Sequence, residues 1–299
     1  MGKKHSDLAH RTLINGLSAI VIAFFIIIGE YGPFRWLFTG AVAAIAATAL
    51  WEYYQLLKKK ALSPAFSIGL VAVILYVFAV FFKTQGPHPF LPSLWQNGPE
   101  IILGLTFFAC FVYFAINGRS PITNISTSFL GIVYIGVPLA LILRVVYFFV
   151  FDGKTDPHFE GSWWLLYLII VTKSADMGGY FVGGSFGRRK LAFKLSPNKT
   201  FEGAIGGLAV AIGVSVLLAF FGPFVGHVFL NFTYIQAIIL GAIVGIFGQL
   251  GDLAESLLKR DAGVKDSNTL PGVGGVLDMV DSLLFTSPVV YIFLRIHYT

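Results

Sequence analysis

Nine apolar segments of about 20 residues constrain the fold of this chain more than any other feature. A helix that crosses the roughly 30 Å hydrocarbon core of a bilayer needs about 20 consecutive apolar residues. The segments cover residues 12–29, 34–57, 65–83, 100–117, 127–151, 162–183, 203–224, 233–258 and 275–295. We therefore predict an all-α, polytopic integral membrane protein with nine transmembrane helices.

The composition agrees with a membrane protein and excludes other classes. Only 12% of the 299 residues are charged and 56% are hydrophobic, whereas soluble domains carry about 25% charged residues. The single cysteine, Cys110, excludes an intrachain disulfide, and the six scattered histidines argue against a zinc cluster. The net charge of +6 is explained first by the positive-inside rule, and no nucleic-acid partner is expected.

The basic residues are distributed unevenly between the predicted loops. One side of the membrane carries 15 of the 21 Lys and Arg residues, whereas the opposite loops hold only Arg35, Lys83, Lys154 and Arg295. Because Lys and Arg accumulate in cytoplasmic loops, we predict a cytoplasmic amino terminus and an external carboxyl terminus. We interpret the first segment as a retained helix rather than a signal peptide, since no small-residue cleavage site precedes the second segment.

Acidic residues in the last two segments are unexpected in so apolar a chain. Asp278 and Asp281 lie three residues apart and therefore share one face of a helix. The preceding segment has polar residues at the spacing of one helical face, namely Asp252, Glu255, Ser256 and Lys259. A carboxylate in a membrane helix costs at least about 2.5–3.5 kcal/mol, which favours a functional role. We predict that Asp252, Asp278 and Asp281 converge at the cytoplasmic membrane edge and bind Mg²⁺.

Ion pairing is the alternative explanation for these carboxylates. Glu255 lies four residues before Lys259, and we favour pairing for this residue. The helix that carries Asp278 and Asp281 offers them no cationic neighbour, so we favour a metal ion for these two.

Two cytoplasmic loops contain candidates for binding anions. The sequence "PGVGG", residues 271–275, precedes the last segment, and its glycine N–H groups suit a phosphate at a helix start. A flexible turn is the alternative, and the cations Lys259, Arg260 and Lys265 just before it strengthen the phosphate interpretation. The other loop covers residues 183–203. Its cations at 188–190 are explained equally well as topology determinants at lipid headgroups. Lys199, Thr200 and Glu202 are stronger candidates, because they place charge, hydroxyl and carboxylate at one helix start.

Three further charged residues lie within apolar segments. Asp176 is near the cytoplasmic end of the sixth segment, and Lys173 either pairs with it or contacts the site. Glu52 is expected to face another helix or the membrane interface. The motifs GxxxxGK[ST] and HExxH are absent from the sequence, which argues against the corresponding nucleotide-binding and metalloprotease mechanisms.

The sequences "SLLKRDAGVKD" and "PGVGGVLDMVDS" resemble the carboxyl-terminal signature of CDP-diacylglycerol synthases, also called phosphatidate cytidylyltransferases. The matching residues in this part are Ser256, Lys259, Arg260, Lys265, Asp266, Gly272, Gly274, Gly275, Asp278 and Asp281. The preceding loop matches the family at Asp176, Tyr180, Gly183, Gly187, Lys190, Leu191, Ser196, Pro197, Lys199, Thr200, Glu202 and Gly203. The resemblance covers about 110 residues, and the first 170 agree only in hydropathy. Val273 replaces the usual His, Met279 replaces the usual Arg, and the gap after Asp266 is one residue short.

The resemblance implies that phosphatidic acid and CTP react to give CDP-diacylglycerol and pyrophosphate. The implied catalytic residues are Asp252, Lys259, Asp278 and Asp281, and the three aspartates are the implied ligands of Mg²⁺, with a second divalent ion or K⁺. The implied substrate-binding residues are Asp176, Ser196, Lys199, Thr200, Glu202, Ser256, Arg260, Lys265, Asp266, Gly272, Gly274 and Gly275. The protein is then expected in the bacterial inner membrane, as a homodimer, with its site facing the cytoplasm.

We predict a division into residues 1–170, a membrane scaffold with dimer contacts, and residues 171–299, a catalytic region with both cytoplasmic loops. Two alternative functions remain open. An ion-coupled transporter also contains buried acids, but it predicts carboxylates near the bilayer midplane. A related CTP-dependent kinase acting on a polyprenol or another lipid releases CDP instead of pyrophosphate.

Overall fold

The computed structural model describes residues 26, 29, 32–86, 90, 92–118, 120–150, 160–193, 195–222, 232–264 and 275–298. Its helices are α1 (Gly32–Lys59), α2 (Phe66–Thr84), α3 (Pro92–Gln96), α4 (Gly98–Asn117), α5 (Pro121–Gly131), α6 (Val137–Val146), α7 (Glu160–Phe186), α8 (Phe201–Phe221), α9 (Tyr234–Asp261) and α10 (Val276–Tyr298). The strands are β1 (Lys190–Ala192) and β2 (Ser196–Thr200).

Eight helical stretches in this part of the chain are long and apolar enough to cross a membrane. They coincide with the last eight predicted segments, so the prediction of an all-α polytopic membrane protein is confirmed. The first predicted segment, 12–29, lies almost entirely outside the described residues. The count of nine and the orientation in the membrane therefore stay predictions.

One crossing, Pro121–Val146, is formed by α5, a π-helical turn at Ile132–Gly136 and α6. The N–H of Val137 donates to the carbonyl of Ile132, five residues back. Pro138 has no N–H to continue the α-helical pattern, which explains why the helix widens just before it. The hydroxyl of Tyr54 donates to Ser128 O at 2.9 Å and so ties α1 to this crossing.

A small β-hairpin, which the hydropathy did not indicate, connects α7 and α8. The strands pair antiparallel, with Lys190 opposite Thr200 and Ala192 opposite Ser196. The hydroxyl of Thr200 then accepts a hydrogen bond from the N–H of Gly203 at 3.1 Å, which caps the start of α8. The hairpin thus fixes where α8 begins at the end of the bundle that holds the charged residues.

The four carboxyl-terminal helices pack in sequence order, α7 on α8, α8 on α9, and α9 on α10. Small residues permit the closest of these contacts, as is usual between membrane helices. A Cβ atom on Gly207 of α8 would lie 2.6 Å from the backbone oxygen of Ala175 in α7. α10 also packs on α1 and α6, so the two predicted regions share an interface.

Gly207→Ala is expected to destabilise the protein by about 1–3 kcal/mol, because α7 and α8 must separate to admit the methyl group. Gly213→Ala is the matched control on the same helix, since no atom lies within 4 Å of the Cβ position there. Thermal unfolding in detergent, followed by size-exclusion chromatography, measures both. Equal transition temperatures for the two variants would contradict the close packing of α7 on α8.

Candidate functional site

The end of α9 and the start of α10 are joined by a lysine between two carboxylates. Lys259 Nζ lies 2.5 Å from Glu255 Oε2 and 2.8 Å from Asp278 Oδ1. Glu255 is buried, with 1% of its surface exposed. The predicted pairing of Glu255 with Lys259 is confirmed. The helix of Asp278 offers it no cationic neighbour, as expected, but Lys259 of the adjacent helix supplies one, so a metal ion is not the only cation available to Asp278.

Asp281 follows Asp278 on α10 and is linked to α7 through Ser282. Its side chain is buried, and Oδ1 accepts hydrogen bonds from the backbone N–H of Ser282 at 2.5 Å and from the Ser282 hydroxyl, whose oxygen is 3.1 Å away. The same hydroxyl lies 3.3 Å from Asp176 Oδ2. Asp252 is close enough to interact electrostatically with both aspartates. Asp176, Asp252 and Asp281 thus form the carboxylate cluster of the site.

Ser282 was not predicted as a site residue. It bridges two carboxylates that come from different helices, and its only signal in the sequence is its position directly after Asp281. Lys173 was predicted either to pair with Asp176 or to contact the site, and it does both. Its Nζ lies 3.5 Å from Asp176 Oδ2 and donates to the backbone oxygen of Met279 at 3.2 Å, which links α7 to α10.

A cavity of about 480 Å³ lies beside the carboxylate cluster, between α7, α8, α9 and the hairpin. Lys199 Nζ lies 2.7 Å from Asp252 Oδ2 at its wall. The other residues that line it include Asp176, Tyr180, Gly183, Asn198, Thr200, Gly203 and Gln249. The cavity combines an apolar wall with carboxylates and one lysine, and this surface suits a ligand that carries both a charged and an apolar part.

The carboxylate oxygens of Asp176, Asp252 and Asp281 are ligands of the kind that Mg²⁺ prefers. Because the three carboxylates repel one another, a cation between them is favoured. Among the described residues, no three His, Cys, Asp or Glu side chains lie close enough together to form a ready metal site. Lysines pair instead with two of the predicted ligands, Asp252 and Asp278. The donor chemistry fits the predicted ion, and Mg²⁺ binding stays a prediction.

Other predicted substrate-binding residues hold the loops in place. Glu202 Oε2 accepts from the backbone N–H groups of Arg188 at 3.0 Å and Arg189 at 3.1 Å, which closes the hairpin. Arg260 Nε donates to Leu195 O at 3.0 Å and ties the hairpin to α9.

The remaining predicted residues are placed as follows. Ser196 lies in β2, and Ser256 is half-buried on α9 beside Glu255. The N–H of Gly275 donates to Asp278 Oδ2 at 3.3 Å, so this predicted phosphate donor is already used. Lys265, Asp266, Gly272 and Gly274 lie outside the described residues.

Fold and site together define a polytopic integral membrane protein with a charged site at one end of its carboxyl-terminal helices. The chain matches the model of the cytidylyltransferase family over residues 10–297. It is 32% identical over 301 residues to a phosphatidate cytidylyltransferase of Chlamydia pneumoniae, covering 98% of this chain and 93% of the relative. It is also 32% identical over 294 residues to a phosphatidate cytidylyltransferase of Bacillus subtilis, covering 97% and 98%.

A phosphatidate cytidylyltransferase of Synechocystis is 32% identical over 305 residues, covering 94% of each chain. This chain therefore belongs to the cytidylyltransferase family. The match extends through the first 170 residues, where the resemblance had been one of hydropathy alone.

Proposed function

We propose that this protein transfers the cytidylyl group of CTP to phosphatidic acid, giving CDP-diacylglycerol and pyrophosphate. The observation that carries the proposal is the convergence of acidic and basic side chains from α7 to α10 and the hairpin. Lys199 pairs with Asp252, Lys259 pairs with Asp278, and Ser282 links Asp281 to Asp176. Relatives of nearly the same length carry the name phosphatidate cytidylyltransferase, which supports the same reaction here.

The reaction joins two polyanions, so its main physical requirement is the control of negative charge. An oxygen of the lipid phosphate attacks the α-phosphorus of CTP, a new P–O bond forms, and pyrophosphate departs with the electrons of the broken P–O bond. Because the second pKa of a phosphate monoester is about 6, the nucleophile is already largely ionised at neutral pH. A general base is therefore not obligatory.

Lysines and backbone donors of the chain offset the charge of the substrates. Lys199 and Lys259 are preorganised by Asp252 and Asp278, and fixed cations of this kind stabilise charge that develops in a transition state. When bound, Mg²⁺ would be held by Asp252, Asp278 and Asp281 and would neutralise phosphate oxygens. A second divalent ion or K⁺ is proposed with it.

The two substrates approach the site from different phases. CTP comes from the cytoplasm, and phosphatidic acid comes from the bilayer that surrounds the helices. The cavity beside Asp176 and Lys199 has both the charge and the apolar surface that a phospholipid headgroup region needs. We place the site at the cytoplasmic face of the bacterial inner membrane, because the basic loops flank it. We also propose that the protein forms a homodimer. Chemical cross-linking in membranes measures this oligomeric state.

Product analysis with purified protein, CTP, phosphatidic acid and Mg²⁺ tests the reaction. Pyrophosphate released in step with CDP-diacylglycerol supports the proposal. Release of CDP with phosphorylation of a lipid indicates a kinase. Ion uptake into proteoliposomes, with neither lipid product formed, indicates a transporter.

Val273→His restores the residue that is usual in the family signature, at a position outside the described residues. Because the phosphate nucleophile needs no base, the rate is expected to change by less than about tenfold, well below the roughly 10²–10⁴-fold that a general base supplies. Initial rates at saturating CTP measure the change. A gain of several orders of magnitude would show that proton transfer has been wrongly excluded from the mechanism.

A further inference from the structure

Glu52, in helix α1, is a buried carboxylate with 1% of its surface exposed. Both of its oxygens accept hydrogen bonds from backbone groups of α10. Oε1 accepts from the N–H of Val276 at 2.9 Å, and Oε2 accepts from the N–H of Leu277 at 2.7 Å. The donor Val276 lies 224 residues further along the chain.

These contacts complete the start of α10. The first N–H groups of a helix have no partner inside the helix, and its amino end attracts negative charge. A neighbouring Ser, Thr, Asp or Asn usually satisfies them. Here Glu52 satisfies Val276 and Leu277, while Asp278 satisfies Gly275. Of the glycine donors that the sequence indicated for a phosphate, the described one, Gly275, is therefore held by a carboxylate of the chain itself.

A buried carboxylate is stable only where charged or polar partners replace its water shell, and two backbone donors at a helix start do so. Glu52 and the start of α10 therefore depend on each other. Glu52 requires the start of α10 at this place, and α10 cannot slide along its axis or rotate without losing both bonds. Asp278 and Asp281 follow on the first turn and a half of the same helix.

We propose that Glu52 is a positioning residue for cytidylyl transfer, one that fixes the start of α10 and thereby places Asp278 against Lys259 and the Ser282 hydroxyl, which also contacts Asp281, against Asp176. The inference rests on the proposed function and extends it into the region predicted as scaffold. It also implies that phosphate groups bind through the lysines rather than at the start of α10, since Glu52 already occupies the helix start.

Glu52→Gln tests the inference with almost no change of volume. A glutamine has one acceptor oxygen, so one of the two backbone donors then faces an amide NH₂ and the charge is lost. We expect kcat to fall on the order of 10-fold to 100-fold, because displacing catalytic groups by about 1 Å can lower a rate by about 10²-fold. The KM for phosphatidic acid should change less than about threefold, because the lipid site is not touched.

Glu100→Gln is the matched control. It removes a carboxylate from the first turn of α4, where Glu100 pairs with Lys83 at 2.7 Å and its side chain is 61% exposed. Kinetic constants are normalised to the folded fraction from size-exclusion chromatography. Hydrogen–deuterium exchange at the start of α10 gives a second measurement that needs no substrate, and it should accelerate in Glu52→Gln and stay unchanged in the control.

A lower kcat together with faster exchange at Val276 and Leu277 supports the role of Glu52. Wild-type kcat per folded molecule, or exchange equal to that of the control, would overturn it. If the wild-type protein itself forms no CDP-diacylglycerol, the proposed function fails instead, and the exchange measurement still decides whether Glu52 fixes α10.

Discussion

Asp281→Asn is expected to reduce cytidylyl transfer by about 10²–10³-fold or more, the range found when one preorganised electrostatic group is removed. The carboxylate is buried beside the partly exposed carboxylates of Asp176 and Asp252, and a neutral amide there weakens the attraction for any cation between them. The fold should survive, because the amide oxygen of asparagine can still accept the hydrogen bonds of Ser282. Initial rates with labelled CTP measure the effect.

Asp261→Asn is the control for this variant. Asp261 lies at the end of α9, has a side chain 61% exposed, and pairs with Lys60 at 2.6 Å. An exposed ion pair contributes about 0–1 kcal/mol, so both stability and rate should stay near the wild-type values. Asp281→Asn protein that is folded and as active as Asp261→Asn would remove Asp281 from the mechanism.

Lys259→Met is expected to lower both stability and activity. It leaves Glu255 and Asp278 facing each other without the cation between them. Removing one partner of a buried ion pair costs about 3–5 kcal/mol, since the remaining charge stays without compensation. Thermal unfolding in detergent measures the stability, and the rate is taken per folded molecule.

A second substitution separates the two effects of Lys259. Adding Glu255→Gln to Lys259→Met removes one of the two repelling carboxylates, so part of the lost stability should return. Activity should not return, because no cation is restored beside Asp278. Recovery of both properties in the double variant would show that Lys259 acts on folding alone.

Hydropathy was enough to predict the membrane helices, because each crossing must be long and apolar whatever its neighbours are. The π-helical turn before Pro138 and the hairpin before α8 were not predicted. Both are short, and both depend on hydrogen bonds that only the surrounding structure selects. The orientation of the helices stays a prediction from the distribution of Lys and Arg.

The site was predicted less completely than the fold. Spacing along one helix indicated the pair of Glu255 and Lys259, which lie four residues apart. It could not indicate that the same lysine reaches Asp278, because that contact depends on how α9 and α10 are aligned. Glu52 is the extreme case, since its partners are backbone groups, and no side-chain pattern marks them.

Transfer of label from the α-phosphate of CTP to lipid is the measurement that tests the central claim most directly. Purified protein is incubated with phosphatidic acid, Mg²⁺ and CTP labelled at the α-phosphorus, with Asp281→Asn in parallel. The proposal predicts labelled CDP-diacylglycerol with the wild-type protein and a loss of about 10²–10³-fold with the variant. Folded wild-type protein that leaves the lipid unlabelled at every Mg²⁺ concentration would contradict it.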